Sequence, residues 1–365
     1  MSARSRPSRF TVAATAAVLA AAALGVSPGS EPARGSGLGV DGLTPEQQVG
    51  NLLVTAFPGT TPPRHIVEKL RGRRLAGVIL FGGNIESPPQ VSALTGALRR
   101  AGGNPIVAVD QEGGTIRRLP WAPPVASQPE QVARGIVRSD ARAAAGALRS
   151  VGITVSLAPV VDVPSVPGAE LATRSFSSDP AIASKATVAS ISGWRAGGVA
   201  ATAKHFPGLG GAPANTDRAI VTIRRSRAQL NDVDLAPFRA AIAAGAPLVM
   251  VGHARYPALD SARVASQSRR IIDQLLRREL GFRGVVVTDS LEAQASLATG
   301  SIVAVSERAV RAGADLLLLT GAGSYAPVYR HLLSVAARDR SFRERVCEAA
   351  ARVLALKARG ALPPR

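Results

Sequence analysis

The chain has 365 residues, 46% hydrophobic and 19% charged, enough to build a sizeable core, which excludes disorder as its main theme. Lys and Arg number 44 against 25 Asp and Glu, a formal charge of +19; with Lys69, Lys185, Lys204 and Lys357 the only lysines, the excess is arginine. Those arginines are scattered through every segment and only 4% of residues are aromatic, so the charge is expected to be solvated surface suited to an anionic envelope, with no nucleic-acid or other polyanion-binding face.

In chain order, Arg4, Arg6 and Arg9 form a positive head, and residues 11–26 are an uncharged, alanine-rich run followed by Ser27-Pro28-Gly29. The run is short for a transmembrane helix and has the plan of a secretory signal, so residues 1–30 are expected to be cleaved on export; an uncleaved anchor is the alternative and the only expected route to a membrane. No cysteine follows the run, which argues against a lipid anchor. Residues 31–42 are Gly- and Ser-rich and are expected to be linker; 43–365 are expected to form one domain whose final helix leaves no room for another.

From Leu43 onward capped helices alternate with short apolar runs. Thr44-Pro45-Glu46-Gln47 is a capping box with proline at the first helical position, and Ser87-Pro88-Pro89-Gln90 repeats it. Asp179-Pro180 starts a helix that Gly197-Gly198 stops, and Ser268 starts one that Gly281 stops. Strands are predicted at 52–57, 77–81, 106–109, 154–158, 200–203, 248–251, 285–288 and 315–319. Runs such as Val285-Val286-Val287 do not alternate with polar residues, the mark of parallel strands buried on both faces. Eight strands alternating with helices predict an α/β fold, a single-domain (β/α)8 barrel of the TIM type, with the first strand–helix pairing the least constrained. Cys347, the single cysteine, excludes internal disulfides and thiolate metal clusters and is expected to be buried in an apolar helical stripe.

Just past the apolar runs stand Asn84, Asp110-Gln111-Glu112, Asp162, Lys204-His205, His253 and Asp289. Any one of them is accounted for as a cap or a satisfied buried polar group, whereas several on one rim point to an active site at the C-terminal face of a barrel. From Leu43 onward there is no Gly-x-Ser-x-Gly elbow, no Walker loop and no dinucleotide fingerprint of glycines opening a helix after a strand. With only His65, His205, His253 and His331, a three-histidine metal site is not expected, nor is a cofactor. Carboxylates with Lys, Arg and His suit recognition of sugar hydroxyls and carboxylate acid/base or nucleophilic chemistry.

These motifs resemble glycoside hydrolase family 3, and within it the single-domain bacterial β-N-acetylhexosaminidase branch. The resemblance runs from about Leu43 to the C-terminus through ordered segments. They are 76–81; Val109-Asp110-Gln111-Glu112-Gly113-Gly114 with Arg117-Arg118; Arg174-Ser175-Phe176 with Asp179-Pro180; Lys204-His205-Phe206-Pro207-Gly208; 253–259; and Thr288-Asp289-Ser290-Leu291. It implies a glycosidase acting on a carbohydrate, with Asp289 the nucleophile of a retaining mechanism and Asp110, Arg118, Arg174, Lys204, His205 and His253 around the sugar. It also points towards terminal β-N-acetylhexosaminides of cell-wall fragments or chitooligosaccharides, the family as a whole covering glucosides and xylosides too.

The departure lies at the general acid/base. The branch carries His-Gly and then an Asp-x-His pair after the Lys-His-Phe-Pro-Gly segment; this chain has Leu209-Gly210 and then Asp217-Arg218-Ala219, without the histidine. Several readings stay open. Asp217 is itself the acid/base; Glu112 or Glu170 replaces it; or the leaving group needs little protonation. Alternatively the chain is a weakly active or impaired sugar-binding relative, or a β-glucosidase or phosphorylase of the same family.

Overall fold

Eight short parallel strands close on themselves in the computed structural model, which describes residues 1, 2, 40, 42–102 and 104–359. The expected signal and linker lie outside the described residues, save positions 1, 2, 40 and 42. The strands are β1 (Leu53–Thr55), β2 (Gly77–Leu80), β3 (Ile106–Val109), β4 (Val155–Ser156), β5 (Ala200–Phe206), β6 (Leu248–Val251), β7 (Val285–Ser290) and β8 (Leu316–Leu319). Each pairs with its neighbours in sequence, and β1 closes the ring on β8 through Leu53↔Leu317, Val54↔Leu318 and Thr55↔Leu319. The predicted barrel is the fold observed.

Strand side chains alternate between two apolar environments. Ile79, Leu248, Met250, Val285, Val287, Leu316 and Leu318 fill the barrel interior, while Val78, Leu80, Val249, Val251, Val286, Leu317 and Leu319 pack outward against the helices. Both faces are therefore dry, which is why these runs lack polar alternation. The same period of two, carried one step past the last inner residue, turns Phe81, Asp110, Lys204, Asp289 and Thr320 into the C-terminal mouth. At the opposite end the last helix, Arg340–Arg359, contributes Val353 and Leu356 to the inner cluster, and Lys357 Nζ donates to Asn51 Oδ1 at 2.9 Å.

Most local signals hold. Thr44 and Gln47 complete their reciprocal capping box. Asp179 Oδ1 accepts from the backbone of Ala181 and Ile182, and its helix (Pro180–Gly197) stops at Gly198 with φ +80°. The second box is incomplete: Gln90 N donates to Ser87 Oγ at 3.4 Å, but the Gln90 side chain accepts from Glu86 N and donates to Thr60 and Asn84 carbonyls. Two strands outrun their predicted ends, since β5 reaches Phe206 and β7 reaches Ser290, so Lys204, His205 and Asp289 stand on the strands themselves. Cys347 is only half-buried, because the buried stripe of its helix runs through Phe342, Val346, Ala349, Ala350 and Val353, one step to its side.

Candidate active site

A cavity of about 450 Å³ opens at the C-terminal mouth of the barrel, within the size range of small-molecule sites. Its floor is ionic. Lys204, on β5, donates from Nζ to Asp110 Oδ1 and pairs with Glu112 Oε1, each at 2.8 Å. Arg174 closes on Glu112 in a two-pronged contact, Nε to Oε2 at 2.9 Å and Nη2 to Oε1 at 2.7 Å. Burial alone would push the Glu112 carboxyl up, yet Lys204 and Arg174 hold it down at about 2. Burial likewise opposes the charge of Lys204, and Asp110 and Glu112 outweigh it and raise the ammonium above its usual range. Glu112, Lys204 and Arg174 are thus held in their charged forms, which suits a rigid set of donors and acceptors for hydroxyl groups.

Asp289, at the end of β7, lines the same cavity, and the Ser290 N–H donates to its Oδ1 at 2.8 Å. Burial would raise its carboxyl, but His205, His253, that N–H and Lys204 together hold it below the ordinary carboxylate value. His205 is itself oriented from behind. Asp162, fully buried on the irregular stretch that follows β4, accepts from His205 Nδ1 at 2.8 Å, from the His205 N–H at 3.0 Å and from the Leu209 N–H at 2.5 Å.

Over this floor lies the segment after β5. Its turn is set by Asn215, whose Oδ1 accepts from Asp217 N at 2.8 Å, and it is tied down by Gln294 N to Asp217 O and Ala295 N to Thr216 O, each 3.1 Å. Asp217 is exposed at the cavity wall, and its carboxyl is raised, first by partial burial and then by the charge of Asp289. Two carboxyl groups shifted in opposite directions across one cavity are the arrangement that divides nucleophile from acid.

Asp110, Arg118, Arg174, Lys204, His205, Asp217 and Asp289 thus all line one cavity. Arg118 lies over the Phe81 ring at 5.8 Å, and its buried Nε has no acceptor. His253 is placed differently. It is fully buried behind the wall, with Nδ1 2.8 Å from Ser266 Oγ and Nε2 2.8 Å from the Ser290 carbonyl, so both ring nitrogens are occupied by protein. Neither ring nitrogen is left open to the cavity expected to take the sugar, and Nε2 carries the proton that meets the carbonyl at the end of β7. Two other rim residues are also ties. Asn84 donates to the carbonyls of Phe57 and Gly59, and Gln111 binds the carbonyls of Leu119, Ala122 and Pro123 while accepting from Leu119 N.

Glu170, Asn215, Glu292 and Thr320 also line the cavity without having been singled out as sugar contacts from the sequence. Thr320 follows the inner column of β8 and was findable by extending the period of two. Glu170 and Asn215 stand on irregular segments where no periodicity gives direction. Glu292 accepts at Oε2 from Thr320 N at 3.0 Å, which ties the segment after Asp289 to the end of β8.

The chain matches the glycosyl hydrolase family 3 N terminal domain over residues 44–356. A β-hexosaminidase from Stenotrophomonas maltophilia (strain R551-3) is 36% identical over 280 residues, 73% of this chain and 83% of that protein. A glycoside hydrolase family 3 β-N-acetylglucosaminidase from Paenibacillus sp. str. FPU-7 superposes with a TM-score of 0.83 at 31% identity, covering 88% of this chain and 64% of that longer one. A β-N-acetylhexosaminidase from Beutenbergia cavernae DSM 12333 superposes at 0.80 with 32% identity, over 87% of this chain and 99% of its own.

Proposed function

The chain belongs to glycosyl hydrolase family 3, and on that premise we propose that it is a retaining glycosidase that removes terminal β-linked N-acetylhexosamine units from oligosaccharides such as cell-wall fragments or chitooligosaccharides. The observation that carries the reading is the pairing of Asp289 with Asp217 in one cavity, the first carboxyl lowered and the second raised, above the Lys204, Glu112 and Arg174 cluster. The names of the relatives supply the sugar; the site supplies the chemistry.

In the first step the ionised Asp289 attacks the anomeric carbon as the glycosidic C–O bond breaks, and protonated Asp217 gives its proton to the departing oxygen. A glycosyl ester on Asp289 results. In the second step water attacks the same carbon, the ester C–O bond breaks, and Asp217 takes back a proton, which restores both groups and retains the anomeric configuration. Lys204, Asp110, Arg174 and Arg118 hold the ring hydroxyls, and His205 acts with them, its ring fixed by Asp162. The signal-like leader supports export to the cell envelope as the setting.

The test is covalent trapping. An activated N-acetylglucosaminyl fluoride with a second fluorine at C5 forms the ester quickly and hydrolyses slowly, and the peptide bearing Asp289 should gain the mass of one sugar. Binding of the sugar without that adduct rejects the nucleophile and favours a sugar-binding relative. Asp217→Ala should slow natural oligosaccharides by about 10²–10⁴-fold and nitrophenyl glycosides far less, because a good leaving group needs no proton. Equal losses on both substrates reject Asp217 as the acid.

A further inference from the structure

A second cavity, of about 570 Å³, lies on the outer wall of the barrel between the helices Arg270–Glu279, Ile302–Ala312 and Arg340–Arg359. It shares no lining residue with the sugar site. Here the arginines that are scattered in sequence come together in space. At the floor a single carboxylate, the fully buried Asp315, takes Arg277, Arg345 and Arg352. Along one wall Arg269 and Arg278 share Asp273, and Arg311 pairs with Glu307 and Asp339. Arg308 meets neutral acceptors, Gln267 Oε1 at 2.7 Å and the Thr299 carbonyl at 2.9 Å, and Arg263 stands exposed beside it.

Counting Glu348, which serves Arg345 and Arg352, five carboxylates answer eight guanidinium groups. The excess is felt locally. Burial pulls Arg277 below its usual range, with Arg352 and Arg345 adding to the shift against Asp315, and burial with Arg263 does the same to Arg308. The Nε atoms of Arg277 and Arg345 are buried with no acceptor. Guanidinium groups spread around a concavity present planar forks that match phosphate oxygens, and several at once match several phosphates. The cavity offers no exposed aromatic ring for a base to stack on, Phe342 being buried.

We propose that this cavity binds an anion carrying successive phosphate groups, independently of the sugar site. The expectation of a basic surface with no polyanion-binding face is revised accordingly, because tertiary packing concentrates what the sequence disperses. Such an anion neutralises guanidinium groups that otherwise repel one another, so it should stabilise the fold as it binds.

Calorimetric titration of the folded chain at low ionic strength with sodium tripolyphosphate, and separately with poly(glycerol phosphate), tests this; the tighter of the two identifies a phosphoanhydride or a phosphodiester chain as the ligand. Either should bind, raise Tm and weaken steeply with added NaCl, while nitrophenyl N-acetylglucosaminide hydrolysis stays unchanged. Arg263 and Arg269 are exposed and outside the Asp315 cluster, so the double variant Arg263→Glu with Arg269→Glu should fold and hydrolyse normally and bind at least tenfold more weakly. Absence of binding by both probes, equal affinity in the double variant, or equal binding of sulfate at matched ionic strength overturns the proposal.

Discussion

Asp217 and Asp289 begin from the same ordinary carboxylate value of 3.8, and the fold moves them apart. On the proposed mechanism Asp289 must be ionised to attack, so activity should be lost as pH falls through its lowered value. On the same proposal Asp217 must be protonated to donate, so activity should be lost again as pH rises through its raised value. The expected kcat/KM profile is a bell with an acidic optimum, and Asp217→Asn should remove the alkaline limb when an activated substrate is used. A wild-type profile flat through the acidic range would reject the pairing. At this scale the sequence was informative wherever a strand gave direction: Asp110, Lys204 and Asp289 continue the inner columns of β3, β5 and β7. His253 shows the limit, since a residue two past β6 is directed by its bonds to Ser266 and Ser290 and not by strand period.

The element that departs from the family pattern is the segment from Gly208 to Arg225, and its backbone explains which residues it keeps. Gly210 lies so close to the neighbouring segment that a Cβ would sit 1.9 Å from the Val163 carbonyl oxygen. Gly210→Ala must therefore displace one of the two segments. It should cost about 1–3 kcal/mol in urea denaturation and also lower kcat, because Asp217 hangs on the displaced one. A stable variant with full activity would show that the two segments part without consequence. Leu209, where the family pattern has histidine, is buried and lines the cavity, while its N–H is held by Asp162. The sequence showed the substitution. The acid/base histidine of the pattern falls at a second place, Ala219, and only the packing shows that Leu209 lines the cavity and that Asp217 reaches it, pinned by Gln294 and Ala295.

Across the whole molecule Asp315 links β8 to the last helix. It stands just before the strand that closes the barrel, receives Arg277 from a preceding helix and Arg345 and Arg352 from the final one, and also accepts from Val286 N at 2.9 Å. Asp315→Ala leaves three partly buried guanidinium groups without their shared carboxylate and should cost about 3–5 kcal/mol, measured by chemical denaturation. A loss below about 1 kcal/mol would mean the cluster relaxes into solvent.

The sequence by itself determined the barrel, because apolar runs of strand length between capped helices admit few other closures, and it determined the column-end residues, because a strand's period of two carries direction past its last apolar residue. It also exposed the missing histidine. Three things were decided only by the tertiary structure: that Asp217 shares a cavity with Asp289, that His253 faces protein and not ligand, and that dispersed arginines meet on one wall. Each depends on segments distant in sequence approaching one another in space. Side-chain direction on irregular segments, and charge summed across three helices, have no periodicity along the chain from which to be inferred.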